Sequence, residues 1–275
     1  MAKFSVLMSI YANDDPAHLK TAFDSILNQT LVPSQVIIVE DGPLTDDAMM
    51  VINKFKQGTL FEITIIKNEV NLGLGASLAK GLMASEYEII VRADADDISV
   101  SNRFEKLINY FENNEDVDIV GSNIAEFEDD PKIITGKRVV PTEHKDILKF
   151  AKFRSPMNHP AVALKKTSIL EVGNYSDVRN LEDYDLWLRA IAANLTMHNL
   201  SDNLVLMRTG NGMYSRRGGT KYFKSYEKIK RNAYHAGILS IFEYIASVSI
   251  IGINIAIPTS LREVVYKRIL HKEGR

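Results

Sequence analysis

The chain has 275 residues, 45% of them apolar and 25% charged, and no cysteine. That length fits one large domain or one domain with an appendage, and the lack of thiols excludes disulfides and thiolate metal centres, in keeping with a reducing compartment. A net charge of -2 hides an uneven spread, because Arg208 to the end carries 13 Lys+Arg against 4 Asp+Glu while residues 1–207 carry 20 against 31. An acidic body with a basic tail directs the tail to an anionic surface, either membrane lipid or nucleic acid.

Met1-Ala2-Lys3 leads straight into a strand-like run without a small-residue cleavage pattern, so the N-terminal part is expected to stay in the cytoplasm. Phe4 to Tyr11 reads as a buried strand. Asn13-Asp14-Asp15-Pro16 then offers an N-cap with proline in the first turn, and Leu19, Ala22, Phe23, Ile26 and Leu27 recur at helical spacing. Gln35 to Val39 is a second strand, ending in Glu40-Asp41-Gly42-Pro43, with a helix expected from Asp46 to Phe55. Ile63 to Ile66 is a third strand, and Asn71-Leu72-Gly73-Leu74-Gly75 opens a helix running to Met83. Tyr87 to Val91 is the fourth strand, followed by a helix-like segment from Arg103 to Phe111. Strands that are apolar along their whole length, alternating with amphipathic helices, predict a parallel sheet covered on both faces, with ligands at its carboxyl ends. Beyond Gly121 the alternation weakens, with mixed strand signals at residues 124–127 and 133–140.

The fourth strand runs into Arg92-Ala93-Asp94-Ala95-Asp96-Asp97. On an extended backbone Asp94 and Asp96 point one way and Asp97 the other. Two carboxylates on one side repel unless a cation lies between them, and Mg2+ or Mn2+ suits an oxygen-only site with positions left for substrate phosphates. A solvated acidic turn capping the next helix is the plainer reading. Gly73-x-Gly75 lacks the third glycine of a dinucleotide fingerprint, Leu78 standing there, so NAD binding is not expected; a turn that lets the backbone approach a nucleotide, or an ordinary strand-to-helix connection, remains.

A second acidic cluster, Glu182-Asp183-Tyr184-Asp185, opens a helix with Leu186, Ala190 and Ile191 on one face. Helix-dipole stabilisation accounts for one or two such acids, and here there are three in four residues. A carboxylate is also what a group-transfer enzyme needs as general base, which makes Asp183 the candidate. Between the clusters, His159 precedes Pro160 and is expected to be held extended, as a site residue or in an ordinary loop. The tail holds a glycine-rich basic loop, residues 211–219, with Arg216 and Arg217 able to close over a ligand or to form an exposed turn. Residues 238–257 carry Glu243 as their one charged residue, are diluted by Ser240, Ser247, Ser249, Gly252 and Asn254, and are nearly long enough to span a bilayer. With the basic amphipathic segment 261–272 they fit an interfacial helix or helical hairpin better than a span, and anionic lipid better than nucleic acid.

Taken together, Ser5 to Tyr11, Val39-Glu40-Asp41-Gly42, Asn71-Leu72-Gly73-Leu74, Arg92 to Asp97, His159-Pro160, Gly173-Asn174-Tyr175 and Glu182 to Leu188 resemble family 2 glycosyltransferases of bacterial surface polysaccharide synthesis over residues 4–208. The resemblance implies an α/β GT-A fold, a Rossmann-like, mixed and mainly parallel sheet with helices on both faces, as domain 1–208; the charge and apolar pattern of residues 209–275 predicts a helical region that associates with membrane. It implies that Asp41 meets the nucleotide base, that Ser9 and Tyr11 line its pocket, and that Asn71, Gly73, Arg92 and His159 belong to the donor site. Asp94 would lie by the ribose and metal, Asp96 would ligate the metal, and Asp183 would be the base with Glu182 beside it. The implied activity is inverting transfer from a nucleotide-diphospho-sugar, UDP-hexose first, to a lipid-linked glycan at the inner membrane surface. A sugar nucleotidylyltransferase or a non-catalytic nucleotide-sugar-binding subunit are the rival readings.

Overall fold

The protein is described from a computed structural model, covering residues 2–209 and 219–256. The four apolar runs form β1 (Phe4–Ile10), β2 (Gln35–Glu40), β3 (Glu62–Lys67) and β4 (Ile89–Ala93). They lie in the order β3-β2-β1-β4 and pair in parallel throughout. Side chains alternate across the sheet, so Val6, Met8, Val36, Ile38 and Val91 feed one core while Leu7, Ile37, Val39 and Ile90 feed the other. Helices α1 (Pro16–Leu27), α2 (Asp46–Gln57) and α4 (Arg103–Asn113) cover the first face, through Leu19, Phe23, Ile52, Phe55, Phe104 and Leu107. On the second face, α3 (Leu74–Ala84) and α7 (Glu182–Ala192) bring Leu78, Leu82 and the fully buried Trp187. Burial on both faces is why β1, β2 and β4 read as continuous apolar runs.

The second half departs from the parallel pattern. Strands β5 (Ile98–Ser99), β6 (Ile119–Phe127), β7 (Ile134–Arg138), β8 (Ala163–Lys165) and β9 (Met197–Arg208) extend the same sheet as β4-β8-β6-β9-β5, with β7 on β6. Strand β8 is antiparallel to both β4 and β6, and β6 is parallel to β9. Neither β8 nor β9 is among the strands that the sequence predicts. Strand β9 carries Asn199, Ser201, Asp202 and Asn203, and its register against β6 slips around Ser122 and Asn123, so no apolar period marks it. Two helices, α5 (His144–Ala151) and α6 (Lys166–Glu171), link these strands.

Register fixes where the chemistry falls. Ile10 pairs with Glu40 and Met8 with Ala93, so Ser9, Tyr11, Asp41 and Asp94 leave the sheet along one edge. That edge is the carboxyl end where connections from β1 and β4 diverge, the crevice that ligands use in open α/β sheets.

Beyond the sheet, α8 (Gly219–His235) and α9 (Ile241–Ala256) form a helical pair. Tyr226, Ile229 and Ala233 of α8 pack on Leu181, Tyr184 and Leu188 of α7 and on Ala151, so the first helix of the basic tail is fixed to the body. Helix α9 has 16 residues, about 24 Å against the roughly 30 Å of a hydrocarbon core. Among the described residues no helix is long and apolar enough to cross a membrane. Ile241, Phe242, Ile245, Ile250 and Ile253 are nonetheless exposed along it. Arg216, Arg217 and the segment 261–272 lie outside the described residues.

Gly42 holds the turn after β2 at φ 90°, and a Cβ there would stand 2.8 Å from the backbone nitrogen of Asn71. Gly42→Ala is therefore expected to lose about 1–3 kcal/mol in urea unfolding, because the left-handed backbone and the close approach both penalise a side chain. An unchanged midpoint would show that the loop at Asn71 yields freely.

Candidate active site

Strand β4 stops at Ala93 and the chain bends at Ala95 and Asp96 before β5. The extended alternation expected for Asp94 to Asp97 is therefore absent. The sorting it implied is achieved another way: Asp97 is buried and accepts the backbone N–H of Arg208 at 2.9 Å, anchoring the bend to the end of β9. Asp94 is half-buried and Asp96 exposed.

Beneath them Arg92 is only 1% exposed. Its guanidinium donates to the carbonyl of Ala93 and to Asp94 Oδ1. Arg92, which the resemblance puts at the donor site, lies beneath Asp94 and is buried against it, since a buried guanidinium needs a carboxylate partner. Arg103, equally buried, donates to the carbonyls of Arg92 at 2.6 Å and Pro160 at 2.8 Å, tying β4 to the turn that carries His159.

Carboxylates crowd this place. Asp14 Oδ2 accepts the N–H of Tyr11 at 2.9 Å, and burial together with Asp96 and Asp94 pushes its pKa up to about 7. Asp96, although its side chain reaches solvent, is raised by the protein packed around it and by Asp94, and burial with Asp94 and Asp96 raises Asp97 well above the usual range. The sequence around Asp14 predicts only an N-cap. The cap is Asp15, which accepts from Ala17 N at 2.7 Å and His18 N at 3.3 Å, leaving Asp14 free to turn toward the cleft. A second acid beside a sufficient cap was the available signal.

The three acids opening α7 have separate roles, and none caps it, the N-cap being Leu181. Asp185 is structural: it accepts from Ser176 Oγ at 2.7 Å and Arg189 Nε at 2.8 Å. Glu182 is buried, and desolvation with the neighbouring Asp183 brings its pKa up to about 7 while Arg92 opposes the rise. Asp183 is half-buried with Ser155 Oγ at 3.4 Å. Gly75 makes this junction possible, since a Cβ on it would meet the carbonyl oxygen of Ser176 at 2.1 Å and Glu182 Cβ at 3.2 Å.

His159 and Tyr175 lie between the two acidic clusters. His159 Nε2 is 3.0 Å from the Tyr175 hydroxyl, and its ring meets Trp187 edge-on. Burial, then Arg92, depresses His159 to about 4, while Asp183 and Asp94 act the other way. Tyr175 is influenced by the same Arg92, Asp183 and Asp94 and by Glu182. The field at these two rings therefore joins the strand-end acids to the α7 acids across one site. His159 is not extended as expected: it opens a one-turn 3-10 helix, His159–Ala161, closed by Ala161 N–H to Asn158 O at 2.9 Å. Packing of its ring on Tyr175 and Trp187 outweighs the local bias that proline imposes.

Asp41 is buried, its carboxylate accepting from Leu72 N at 2.7 Å, Gly73 N at 3.0 Å and Asn68 Nδ2 at 3.1 Å. Asn71 Nδ2 donates to its carbonyl at 3.3 Å. Asp41 thus shapes the loop that opens α3, where Gly73 sits at φ 92° beside the Arg179 side chain. Ser9 and Tyr11 are half-buried at the end of β1. A hollow of ≈ 310 Å³ on the far side of α7, lined in part by Asp185, Arg189 and Lys228, is separate from Asp94 and Asp183.

Residues 5–173 match the family model described as glycosyl transferase family 2. The chain belongs to that family. This glycosyltransferase is 38% identical to an Escherichia coli protein named UDP-Gal:alpha-D-GlcNAc-diphosphoundecaprenol beta-1,3-galactosyltransferase, over 98% of this chain and 97% of that one. It is 34% identical to the amylovoran biosynthesis glycosyltransferase AmsE of Erwinia amylovora, over 83% and 84% of the two chains. In fold it resembles a mannosyltransferase from Pyrobaculum calidifontis solved with GDP-Man and Mn2+, with a TM-score of 0.64 and 13% identity over 99% of this chain and 81% of that one. The family match ends before α7, so the case for Asp183 rests on the geometry just described.

The raised pKa of Asp14, about 7 against an ordinary 3.8, carries a stability signature. The folded state binds this proton more tightly than the unfolded chain, so the contribution is present at low pH and is lost as the pH rises from about 4 through about 7. In the metal-free glycosyltransferase, Asp14→Asn is expected to melt several degrees above wild type at pH 8, with the gap closing toward pH 4. A gap independent of pH would remove Asp14 from the acidic cluster.

Proposed function

We propose that this glycosyltransferase moves a hexose from UDP-hexose to a hydroxyl of a lipid-diphosphate-linked glycan in surface polysaccharide synthesis, inverting the anomeric centre. The observation that most supports the reading is that the charges of Arg92, Asp94 and Asp183 all act on the His159–Tyr175 pair, as expected if a phosphate-side cluster and a candidate base share one cleft. The E. coli relative, named for UDP-Gal and a diphosphoundecaprenol acceptor, supports the donor and acceptor classes.

The donor set fits a divalent Mn2+ or Mg2+. It is all oxygen, and Asp96 and Asp94 raise the cost of ionising Asp14 while Asp94 raises that of Asp96, which a cation would relieve. Among the described residues no three His, Cys, Asp or Glu side chains stand ready to hold an ion by themselves; a site completed by substrate phosphates needs only one or two carboxylates. Asp96 and Asp94 would hold the ion, which supplies charge neutralisation for the departing nucleoside diphosphate.

Asp183 takes the acceptor hydroxyl's proton, oriented by Ser155. Glu182 is buried beside it with a pKa of about 7 and so is poorly suited to act as a second, nucleophilic carboxylate. One base and no covalent intermediate mean attack from the face opposite the leaving group. Ser9, Tyr11 and the Asp41-ordered loop at Asn71 and Gly73 form the nucleotide side of the crevice. The protein works on the cytoplasmic face of the membrane: α8 exposes Lys221, Lys224, Lys228 and Arg231, and α9 exposes Phe242, Ile245 and Ile253, a basic and apolar pairing suited to anionic lipid.

UDP release from UDP-galactose in the presence of a GlcNAc-diphospholipid tests the assignment. Asp183→Asn is expected to lower turnover by about 10²–10⁴ while UDP still raises the melting temperature in Mn2+. Asp96→Ala should lose that Mn2+-dependent shift as well. Near-wild-type turnover by Asp183→Asn would take it out of the base role.

A further inference from the structure

Lys230 of α8 is fully buried, 0% exposed, although it belongs to the basic tail. Its ammonium donates to the carbonyl of Lys152 at 2.6 Å, to the carbonyl of Ala151 at 3.5 Å and to the hydroxyl of Tyr184. It lies 4.6 Å from the ring centroid of Tyr184 and 5.5 Å from that of Tyr226. Tyr184 in turn donates its hydroxyl proton to the Ala151 carbonyl at 2.6 Å. Ala151 and Lys152 end α5, where unpaired carbonyls concentrate the negative end of a helix and favour a cation. Two aromatic faces add to the welcome.

The two segments joined here are the ones that present the candidate base. Tyr184 follows Asp183 in the first turn of α7. Ser155, the hydroxyl beside Asp183, is three residues past Lys152, across a turn in which Phe153 and Arg154 both donate to the Phe150 carbonyl at 3.1 Å. Lys152 itself is bonded to Glu243 of α9 at 2.7 Å, so both C-terminal helices grip the same turn. An apolar side chain of similar length would fill this space without desolvating a charge. What the lysine adds is the tie.

We propose that Lys230 is a positioning residue for sugar transfer: by clamping Tyr184 to the end of α5 it holds Asp183 and Ser155 in register, making the C-terminal helix pair part of the catalytic assembly. The proposal rests on Asp183 as base, and its test is built to separate the two. Hydrogen exchange, which needs no substrate, is measured on peptides spanning residues 150–158 and 181–188 in wild type, Lys230→Met and Tyr184→Phe, with β1 and β2 as internal reference. Exchange in both segments is expected to quicken about tenfold in Lys230→Met, and by less in Tyr184→Phe, with the reference strands unchanged. Turnover of UDP-galactose should fall roughly 10- to 100-fold with its KM within about twofold of wild type, the signature of a misplaced rather than missing group. Should Lys230→Met fail to fold, Tyr184→Phe decides alone, since it removes one hydroxyl and keeps the ring. Wild-type exchange in both segments, or wild-type turnover in a folded variant, overturns the clamp; a clamp intact by exchange alongside an active Asp183→Asn would instead overturn the base.

Discussion

A buried guanidinium governs the site. Removal of the Arg92 guanidinium from water is tolerable only because Asp94 meets it directly and Asp14 and Glu182 lie within its field. The dependence is mutual. Without a central cation these carboxylates would repel one another more strongly, and Asp14 and Glu182 already sit near pKa 7 with it present. The same charge helps keep His159 neutral, which lets that ring pack as an aromatic between Tyr175 and Trp187.

The scaffold explains why this charge assembly forms where it does. Parallel strands buried on both faces bring β1, β2 and β4 to a common edge, and the bend after β4 is pinned from below by Arg103 and from the side by the Asp97 bond to Arg208. Helix α7 and the Ser176 turn ahead of it arrive from the opposite direction, and the Ser176 carbonyl comes so close to α3 that only glycine fits at position 75. The strand-end acids and the α7 acids are far apart in sequence and are joined by the interleaved β8 and β6, strands with little signature of their own.

That contrast marks what could be read from the residues. Strands β1, β2 and β4 were legible because double-sided burial leaves unbroken apolar runs, and Asp94 and Asp96 stood out as acids just past such a run and Asp183 as one of three acids opening a helix. Strand β9 was not, since its polar middle sits where the register slips. The 3-10 turn at His159 was hidden because tertiary packing, not local preference, decides it. Asp14 was masked by the adjacent true cap, and Lys230 by its membership in a basic helix whose other cations face solvent. In each of these cases a long-range partner, invisible in a linear reading, sets the outcome.

The most direct measurement is urea unfolding of metal-free wild type and Arg92→Met at steps from pH 6 to pH 9. If Arg92 restrains proton uptake by Asp14 and Glu182, its loss moves their native titrations higher, and the variant must lose stability with rising pH more steeply than wild type. Parallel stability curves would contradict the account, because they would mean that the buried charge has no hold on the acids around it.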